Sequence, residues 1–218
     1  MNKASQSEGP ILQILGGDAG LDPPSLSLEA GGSCVIAGPA GAGKSELISA
    51  LVTGRRLRAV RLRLFGDPCE TLGTRARVRL RRRLGIIFQD LRLVLELSAF
   101  DNVAMAARAL GRPLADYRTP VEELLAWVGL ARRANDRAEE LPPEGRRRLA
   151  LARALINSPD LLIADEPTDG LTDKARNSLL QLIGEVHAAG TAVLLATRDP
   201  NIALASGGAV LALERQSP

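Results

Sequence analysis

Aromatic side chains are scarce in this sequence. They make up 2% of its 218 residues, so a buried core has to be built mainly from Leu, Ala, Val and Ile. The two cysteines, Cys34 and Cys69, have no metal-ligand spacing, which argues against a zinc site and favours a reducing compartment. No apolar run approaches the ~18 residues that span a bilayer, and the polar first ten residues lack the apolar segment of a signal peptide. The chain length predicts one domain, or one domain with an inserted lobe.

Positive charge is unevenly distributed along the chain. Residues 55–83 contain eleven arginines against two acidic residues, Asp67 and Glu70. Such a block suits nucleic acid, an anionic membrane face, or a solvated surface. We favour the solvated surface and rank the membrane face second. Nucleic acid is not an expected partner, because the chain lacks stacking aromatics, a coiled-coil insertion and a second nucleotide-binding unit.

A glycine-rich turn follows the short apolar run at residues 34–37. It fits the pattern G-x-x-x-x-G-K-[ST], in which backbone amides and the start of a helix surround phosphate oxygens. Lys44 is expected to reach the β- and γ-phosphates of ATP, and Ser45 to hold Mg²⁺. An ordinary Gly-rich turn is the alternative, but the strand before it and the helical pattern after it favour nucleotide binding. The predicted ATP-binding residues are Gly38, Pro39, Ala40, Gly41, Ala42, Gly43, Lys44, Ser45 and Glu46.

Two acidic residues, Asp165 and Glu166, end a second predicted buried strand at residues 161–164. The carboxyl ends of parallel strands meet at one edge of a sheet, so these acids are expected to face the glycine-rich turn. Asp165 is placed to hold Mg²⁺ through water, and Glu166 to polarise a water for attack on the γ-phosphorus. Surface acids at a strand end are the alternative for either residue alone.

Strand and helix patterns alternate at both ends of the chain, and a helical block lies between them. The pattern predicts an α/β fold with a mostly parallel sheet, a core at about residues 11–90 and 156–213, and a helical lobe at about 91–155. Residues 1–10 are expected to be disordered. Residues 56–65 alternate and predict a half-exposed antiparallel strand. Residues 119–128 predict a helix that begins with a capping box and has Pro120 at its first position.

Five motifs occur in the order seen in ABC-type ATPase subunits, which the sequence resembles. They are the glycine-rich turn, F-Q-D at 88–90, L-A-L-A-R-A-L at 149–155, D-E-P-T at 165–168 and L-L-A-T-R-D at 194–199. The resemblance covers about residues 26–213. It implies a P-loop NTPase (RecA-like) core with an antiparallel β portion and an inserted helical lobe. Within the family, residues 82–90, 101–104 and 196–203 are similar to cell-division subunits of the FtsE type, and lipoprotein-release and macrolide-export subunits stay open alternatives.

The resemblance also implies ligands, partners and residue roles. ATP and Mg²⁺ would be bound, with Glu166, Gln89 and Arg198 as catalytic residues and Ser45, Gln89 and Asp165 at the metal. The expected partners are an integral membrane permease-like subunit of the FtsX type, docked at residues 91–102, and a second ATPase subunit in a homodimer or heterodimer. The implied location is cytoplasmic, on the inner face of the cell membrane.

Two departures from the family pattern concern ATP turnover. The signature L-S-G-G-Q, which holds the γ-phosphate bound by the opposite subunit, is replaced by a stretch that contains Pro142, Pro143 and Glu144. The prolines supply neither a hydroxyl nor an N–H, and Glu144 adds negative charge. The three arginines at 146–148 are a partial replacement one turn further on. The family's switch histidine is Arg198, which is longer and always charged. A nucleotide-responsive adaptor with little ATPase activity is therefore an open alternative.

Overall fold

The computed structural model of the protein describes residues 9–16, 25–57, 60–199, 201–202 and 208–214. The disorder expected for residues 1–10 falls mostly outside this range. None of the described helices combines the length and the apolar character that a membrane span needs. The strands are β1 Leu12–Gly16, β2 Leu26–Leu28, β3 Ser33–Ala37, β4 Val60–Leu64, β5 Asp67–Pro68, β6 Leu84–Ile87, β7 Leu161–Asp165, β8 Ala192–Thr197 and β9 Ala209–Ala212. The helices are α1 Lys44–Thr53, α2 Thr74–Arg81, α3 Ala99–Arg108, α4 Leu114–Trp127, α5 Pro143–Leu155 and α6 Asp173–Ala188.

A parallel sheet carries the strands that lead into the predicted site. Its order is β6-β7-β8-β3-β9. Every residue of β7 and β8 is buried, as expected of uninterrupted apolar strands at the centre of a covered parallel sheet. Because β8 pairs with both β3 and β7, the glycine-rich turn after β3 and the acids at the end of β7 emerge at the same edge. The predicted parallel sheet is confirmed.

A second, antiparallel sheet has the order β2-β1-β4-β5. Leu62 and Leu64 of β4 are buried, and the arginines between and before them are exposed. The predicted half-exposed antiparallel strand is thus confirmed, although it begins at Val60 rather than at residue 56. One hydrophobic cluster joins this sheet, α1 and one face of the parallel sheet; its buried members include Ile14, Ile36, Ile48, Leu62 and Ile163.

Helices α3, α4 and α5 lie between β6 and β7 in the sequence and pack against one another. Their apolar faces belong to the same hydrophobic cluster as the other face of the parallel sheet, with Val103, Val121, Leu149 and Leu162 among its buried members. These helices are therefore anchored on the sheet that carries the site. The division into a core and a lobe at residues 91 and 155 stays a prediction.

The prediction that a helix begins at Thr119, with Pro120 at its first position, is wrong. Helix α4 begins at Leu114, so Pro120 lies inside it. A proline there removes the amide that would bond the carbonyl of Asp116, four residues earlier. The Nη2 atom of Arg112 donates to that carbonyl instead, at 2.8 Å. An arginine side chain thus replaces the missing backbone donor and lets the helix continue through the proline.

Candidate nucleotide-binding site

The glycine-rich turn connects β3 to α1, as the sequence predicts. Gly41 and Gly43 have φ of 81° and 88°, a left-handed conformation that glycine adopts without strain. No side chain caps the start of α1, so the helix N-terminus is open to an anion. Gly38 has a separate packing constraint, because a Cβ there would lie 2.5 Å from the carbonyl oxygen of Leu213. The turn is therefore shaped both by the phosphate-binding pattern and by the strand beside it.

Lys44 is buried within this turn, with 5% of its surface exposed. Its Nζ atom donates to the carbonyls of Gly38 at 2.6 Å and Pro39 at 3.0 Å. The same atom lies 3.4 Å from Oε1 of Glu166. Sequence reasoning assigned Lys44 to phosphate and Glu166 to water, and the structure brings the two into one ion pair. Phosphate binding by Lys44 has to replace some of these contacts.

Asp165 is the acid that fits a metal. Its carboxylate is 3% exposed, and its Oδ1 atom has no hydrogen-bond partner among the described residues. Burial raises the pKa of Asp165, while the Ser45 hydroxyl and the Lys44 charge lower it. Asp165, Ser45 and Gln89 line one open cleft of about 350 Å³. All three predicted metal residues therefore meet, and a carboxylate and a hydroxyl are the ligands that Mg²⁺ takes when it is also held by phosphates.

Glu166 is held by contacts on several sides. Its backbone is left-handed, with φ of 45°, and its amide donates to the carbonyl of Ala196 at 2.9 Å. Oε2 accepts from the backbone amide of Arg198 at 3.1 Å, and Oε1 lies 3.4 Å from the Nε atom of Arg198. The cleft that contains Gln89 is lined by Asp165 and not by Glu166. The structure thus places Gln89 with the metal residues and Glu166 with Lys44 and Arg198.

Sequence reasoning missed Asp169 and the contacts of Arg147. Nη2 of Arg198 lies 2.6 Å from Oδ1 of Asp169, so Arg198 bridges two acids of the loop after β7. Arg147 on α5 donates to the backbone carbonyls of Glu166 and Asp169. The available signal for Asp169 was its position directly after D-E-P-T. Nothing in the sequence pattern indicates that Arg147 reaches backbone carbonyls in another loop.

The start of α5 lacks two of the donors that a phosphate-binding signature supplies, a hydroxyl at position 142 and an amide at position 143. Pro142 is its N-cap and Pro143 its first residue, and no side chain caps the helix. The negative charge of Glu144 is paired, since its Oε1 accepts from Nε and Nη2 of Arg148 at 3.0 and 2.7 Å. Arg146 donates to the carbonyls of Leu141 and Glu139. The arginines expected as a partial replacement are therefore committed to contacts within the chain.

The segment between β6 and α3, residues 88–98, is held in one conformation by buried groups. Asn102 is fully buried, and its side chain exchanges hydrogen bonds with both backbone groups of Val94 at 2.9 Å. Arg153 of α5 donates to the carbonyls of Leu91 and Arg92, two residues with positive φ. The apolar side chains of Leu95 and Leu97 are nevertheless 40% and 36% exposed. This segment therefore presents apolar side chains on a backbone that Asn102 and Arg153 hold by hydrogen bonds.

Comparison with known proteins agrees with this geometry. The ABC transporter family model matches residues 21–169. The chain is 33% identical to the cell division ATP-binding protein FtsE of Mycobacterium tuberculosis, over 84% of this chain and 79% of that protein. It is 37% identical to the lipoprotein-releasing system ATP-binding protein LolD of Paramagnetospirillum magneticum, over 82% and 80%. The dimeric ATP-binding cassette MJ0796, solved with ADP and Pi, superposes with a TM-score of 0.78 at 23% identity, over 94% of this chain and 97% of that one. The chain belongs to the ABC transporter family, as an ATP-binding subunit with the ABC cassette fold.

Proposed function

We propose that this chain binds Mg²⁺-ATP at the turn formed by residues 38–46 and transmits binding to a membrane partner of the FtsX type in cell division. The observation that supports the nucleotide site is the buried Oδ1 atom of Asp165, which has no hydrogen-bond partner among the described residues although Ser45 and Lys44 lie near the carboxylate. Ser45, Asp165 and Gln89 would hold Mg²⁺, which neutralises phosphate charge and orients the γ-phosphate. Lys44 would exchange its two loop carbonyls for phosphate oxygens.

Hydrolysis, in this proposal, is slow. Glu166 is the base that orients the attacking water, and its carboxylate has to leave Lys44 and Arg198 to do so. Across a homodimer, the opposite subunit would present Pro142 and Pro143, which lack the hydroxyl and amide that stabilise transferred phosphate. Arg198 would contribute positive charge near the γ-phosphate. These features also support the second candidate, a nucleotide-responsive adaptor that binds ATP with little turnover.

The proposed docking surface for the membrane partner is the segment 88–98. Its support is the exposure of Leu95 and Leu97 on a backbone that Asn102 and Arg153 hold in place. A partner helix that covers apolar side chains gains from burial, and a rigid receptor loses little entropy on binding. Through this contact the subunit would lie on the inner face of the cell membrane, as a homodimer or a heterodimer. Similarity to the lipoprotein-releasing subunit keeps an export role as the alternative to cell division.

The test is co-purification with an FtsX-type protein expressed together with this chain. Leu95→Asp with Leu97→Asp is expected to lower recovery of the partner at least tenfold while leaving ATP affinity unchanged. Leu114→Asp is the matched control, because Leu114 is a comparably exposed leucine, at 44%, on α4. Equal recovery with all variants would place the docking surface elsewhere. Recovery of a lipoprotein-releasing permease in preference to the FtsX type would favour the export role.

A further inference from the structure

One face of α2 consists of arginines around an exposed valine and takes no part in the nucleotide site. Arg75, Val78, Arg79 and Arg82 follow the spacing i, i+3, i+4 and i+7, which places them on the same side of a helix. The three arginines are exposed, and Val78 is 49% exposed. We call these four residues the arginine stripe.

Two neighbouring arginines, Arg77 and Arg83, make contacts within the protein, and those of the stripe do not. Arg77 points inward and donates to the carbonyl of Leu72 at 3.1 Å. Arg83 lies 3.6 Å above the ring of Phe65 and pairs with Asp160 at 2.6 Å. Within the part of the chain that the structure describes, the stripe arginines make no salt bridge and no side-chain hydrogen bond. Like charges at this spacing repel one another on a helix, and an anionic partner removes that repulsion.

The chemistry of the stripe suits phospholipid headgroups better than nucleic acid. Arginine binds phosphate oxygens through its planar guanidinium, whichever molecule carries them. An apolar side chain among the cations suits a bilayer surface, where it enters the boundary between headgroups and acyl chains. Single-stranded nucleic acid would call for stacking aromatics. Phe65 is the one aromatic residue in the sequence between residues 55 and 83, and Arg83 covers its ring.

The stripe and the segment proposed to dock the membrane partner lie at opposite ends of one strand. Helix α2 leads into β6, which is an edge strand of the parallel sheet, and the segment 88–98 leaves the other end of the same strand. From the unpaired charge and the exposed valine, we infer that the arginine stripe binds anionic phospholipid headgroups. The location at a membrane rests on the proposed function, but binding to the headgroups is expected of the isolated chain.

The experiment is sedimentation of the full chain with vesicles of phosphatidylcholine, with and without phosphatidylglycerol. The chain is expected to sediment with the anionic vesicles and to be released by salt. The triple substitution Arg75→Gln, Arg79→Gln and Arg82→Gln is expected to weaken binding about 100-fold, at about fivefold for each arginine. Val78→Ser is expected to weaken it by a smaller factor.

The matched control removes the same charge elsewhere. Arg118→Gln, Arg132→Gln and Arg137→Gln replace three exposed arginines outside the stripe, so both triple variants change the net charge from +3 to 3 − 3 = 0. The control is expected to keep most of the vesicle binding. Unchanged ATP affinity and unchanged thermal unfolding would show that the stripe variant is folded.

Three results would overturn the inference. The first is wild-type protein that binds vesicles equally with and without phosphatidylglycerol. The second is an equal loss of vesicle binding in the two triple variants. The third is tighter binding of the stripe to DNA than to anionic vesicles at the same salt concentration. Failure of the docking proposal is distinguishable from these. In that case the permease would not co-purify, while vesicle binding and its loss in the stripe variant would persist.

Discussion

The glycine-rich turn and the start of α5 are the two regions that would face the phosphates of ATP, and they differ in what they offer. The turn has left-handed glycines, an uncapped helix start and a buried lysine, and beside it the Oδ1 atom of Asp165 has no hydrogen-bond partner among the described residues. The start of α5 has two prolines, and the charge of Glu144 there is paired with Arg148. One region therefore has the groups that the motif uses for phosphate, and the other lacks the hydroxyl and the amide that Pro142 and Pro143 cannot supply. We therefore expect nucleotide binding and turnover to be separable in this protein.

The two regions are also physically connected. Arg147, at the start of α5, donates to the carbonyls of Glu166 and Asp169 in the loop after β7. Asp169 in turn pairs with Arg198, whose backbone amide donates to Glu166. A movement of α5 would thus reach the loop of the proposed catalytic base through the Arg147 side chain. This connection suits a subunit that reports nucleotide binding, whether or not it hydrolyses ATP quickly.

The largest effect is expected from restoring the missing donors. Pro142→Ser, Pro143→Gly and Glu144→Gly together should raise ATP turnover by about 10²–10³, because one lost transition-state donor typically costs that factor. A serine also caps a helix better than proline does, so α5 should persist. Arg148, deprived of Glu144, keeps its bonds to the carbonyl of Val128 and the hydroxyl of Ser178. The measurement is steady-state phosphate release by the purified chain.

The control for this prediction adds Glu166→Gln to the restored variant, which should remove the gain. Vigorous ATPase activity from the unmodified chain, abolished by Glu166→Gln, would contradict the comparison between the two regions. It would mean that Pro142 and Pro143 support hydrolysis by another arrangement.

The next effect concerns binding at the glycine-rich turn. Lys44→Ala removes charge-assisted contacts worth ~1.5–3 kcal/mol each, so affinity for Mg²⁺-ATP should fall at least tenfold. Lys174→Ala removes the same charge from an exposed site on α6 and should leave affinity unchanged. Titration calorimetry measures the affinity of wild type and both variants for Mg²⁺-ATP. If wild type and Lys44→Ala bind ATP equally, the turn is not the phosphate site.

The sequence was sufficient for the parts of the site that depend on local pattern and strand order. The turn after β3 and the acids after β7 are each marked by an apolar strand followed by specific residues, and parallel strands bring such ends together. Sheet type and the inserted helices followed from the alternation of patterns. Resemblance added Gln89, and the structure places it in the same cleft as Ser45 and Asp165.

What the sequence could not show depends on loop conformation and on long side chains. The bridge from Arg198 to Glu166 and Asp169 requires Glu166 at φ of 45°, which no periodicity encodes. Pro120 was read as a helix start because its local context fits one, and Arg112 was not recognised as the donor that lets α4 continue. In both cases an arginine side chain makes a contact that the sequence pattern does not indicate.

The smallest effect is on the free energy of unfolding. It tests Asp165 of the predicted metal site separately from the glycine-rich turn. Burial raises the pKa of Asp165 above its ordinary value of 3.8, so the folded protein holds that proton more tightly than the unfolded chain does. The free energy of unfolding should therefore fall as the pH rises from 3.8 through the folded-state pKa. Asp165→Asn removes that loss of stability. Without Mg²⁺-ATP the variant should therefore be more stable than wild type at neutral pH, and the difference should shrink towards pH 3.8.

With Mg²⁺-ATP the order of the two stabilities should reverse, because a neutral amide is a weaker ligand for Mg²⁺ than a carboxylate. Urea unfolding across this pH range, with and without Mg²⁺-ATP, measures both differences. Asp67→Asn, at an exposed position, should show neither. A variant at Asp165 that is less stable than wild type at every pH, or that gains as much from Mg²⁺-ATP as wild type does, would remove Asp165 from the metal site.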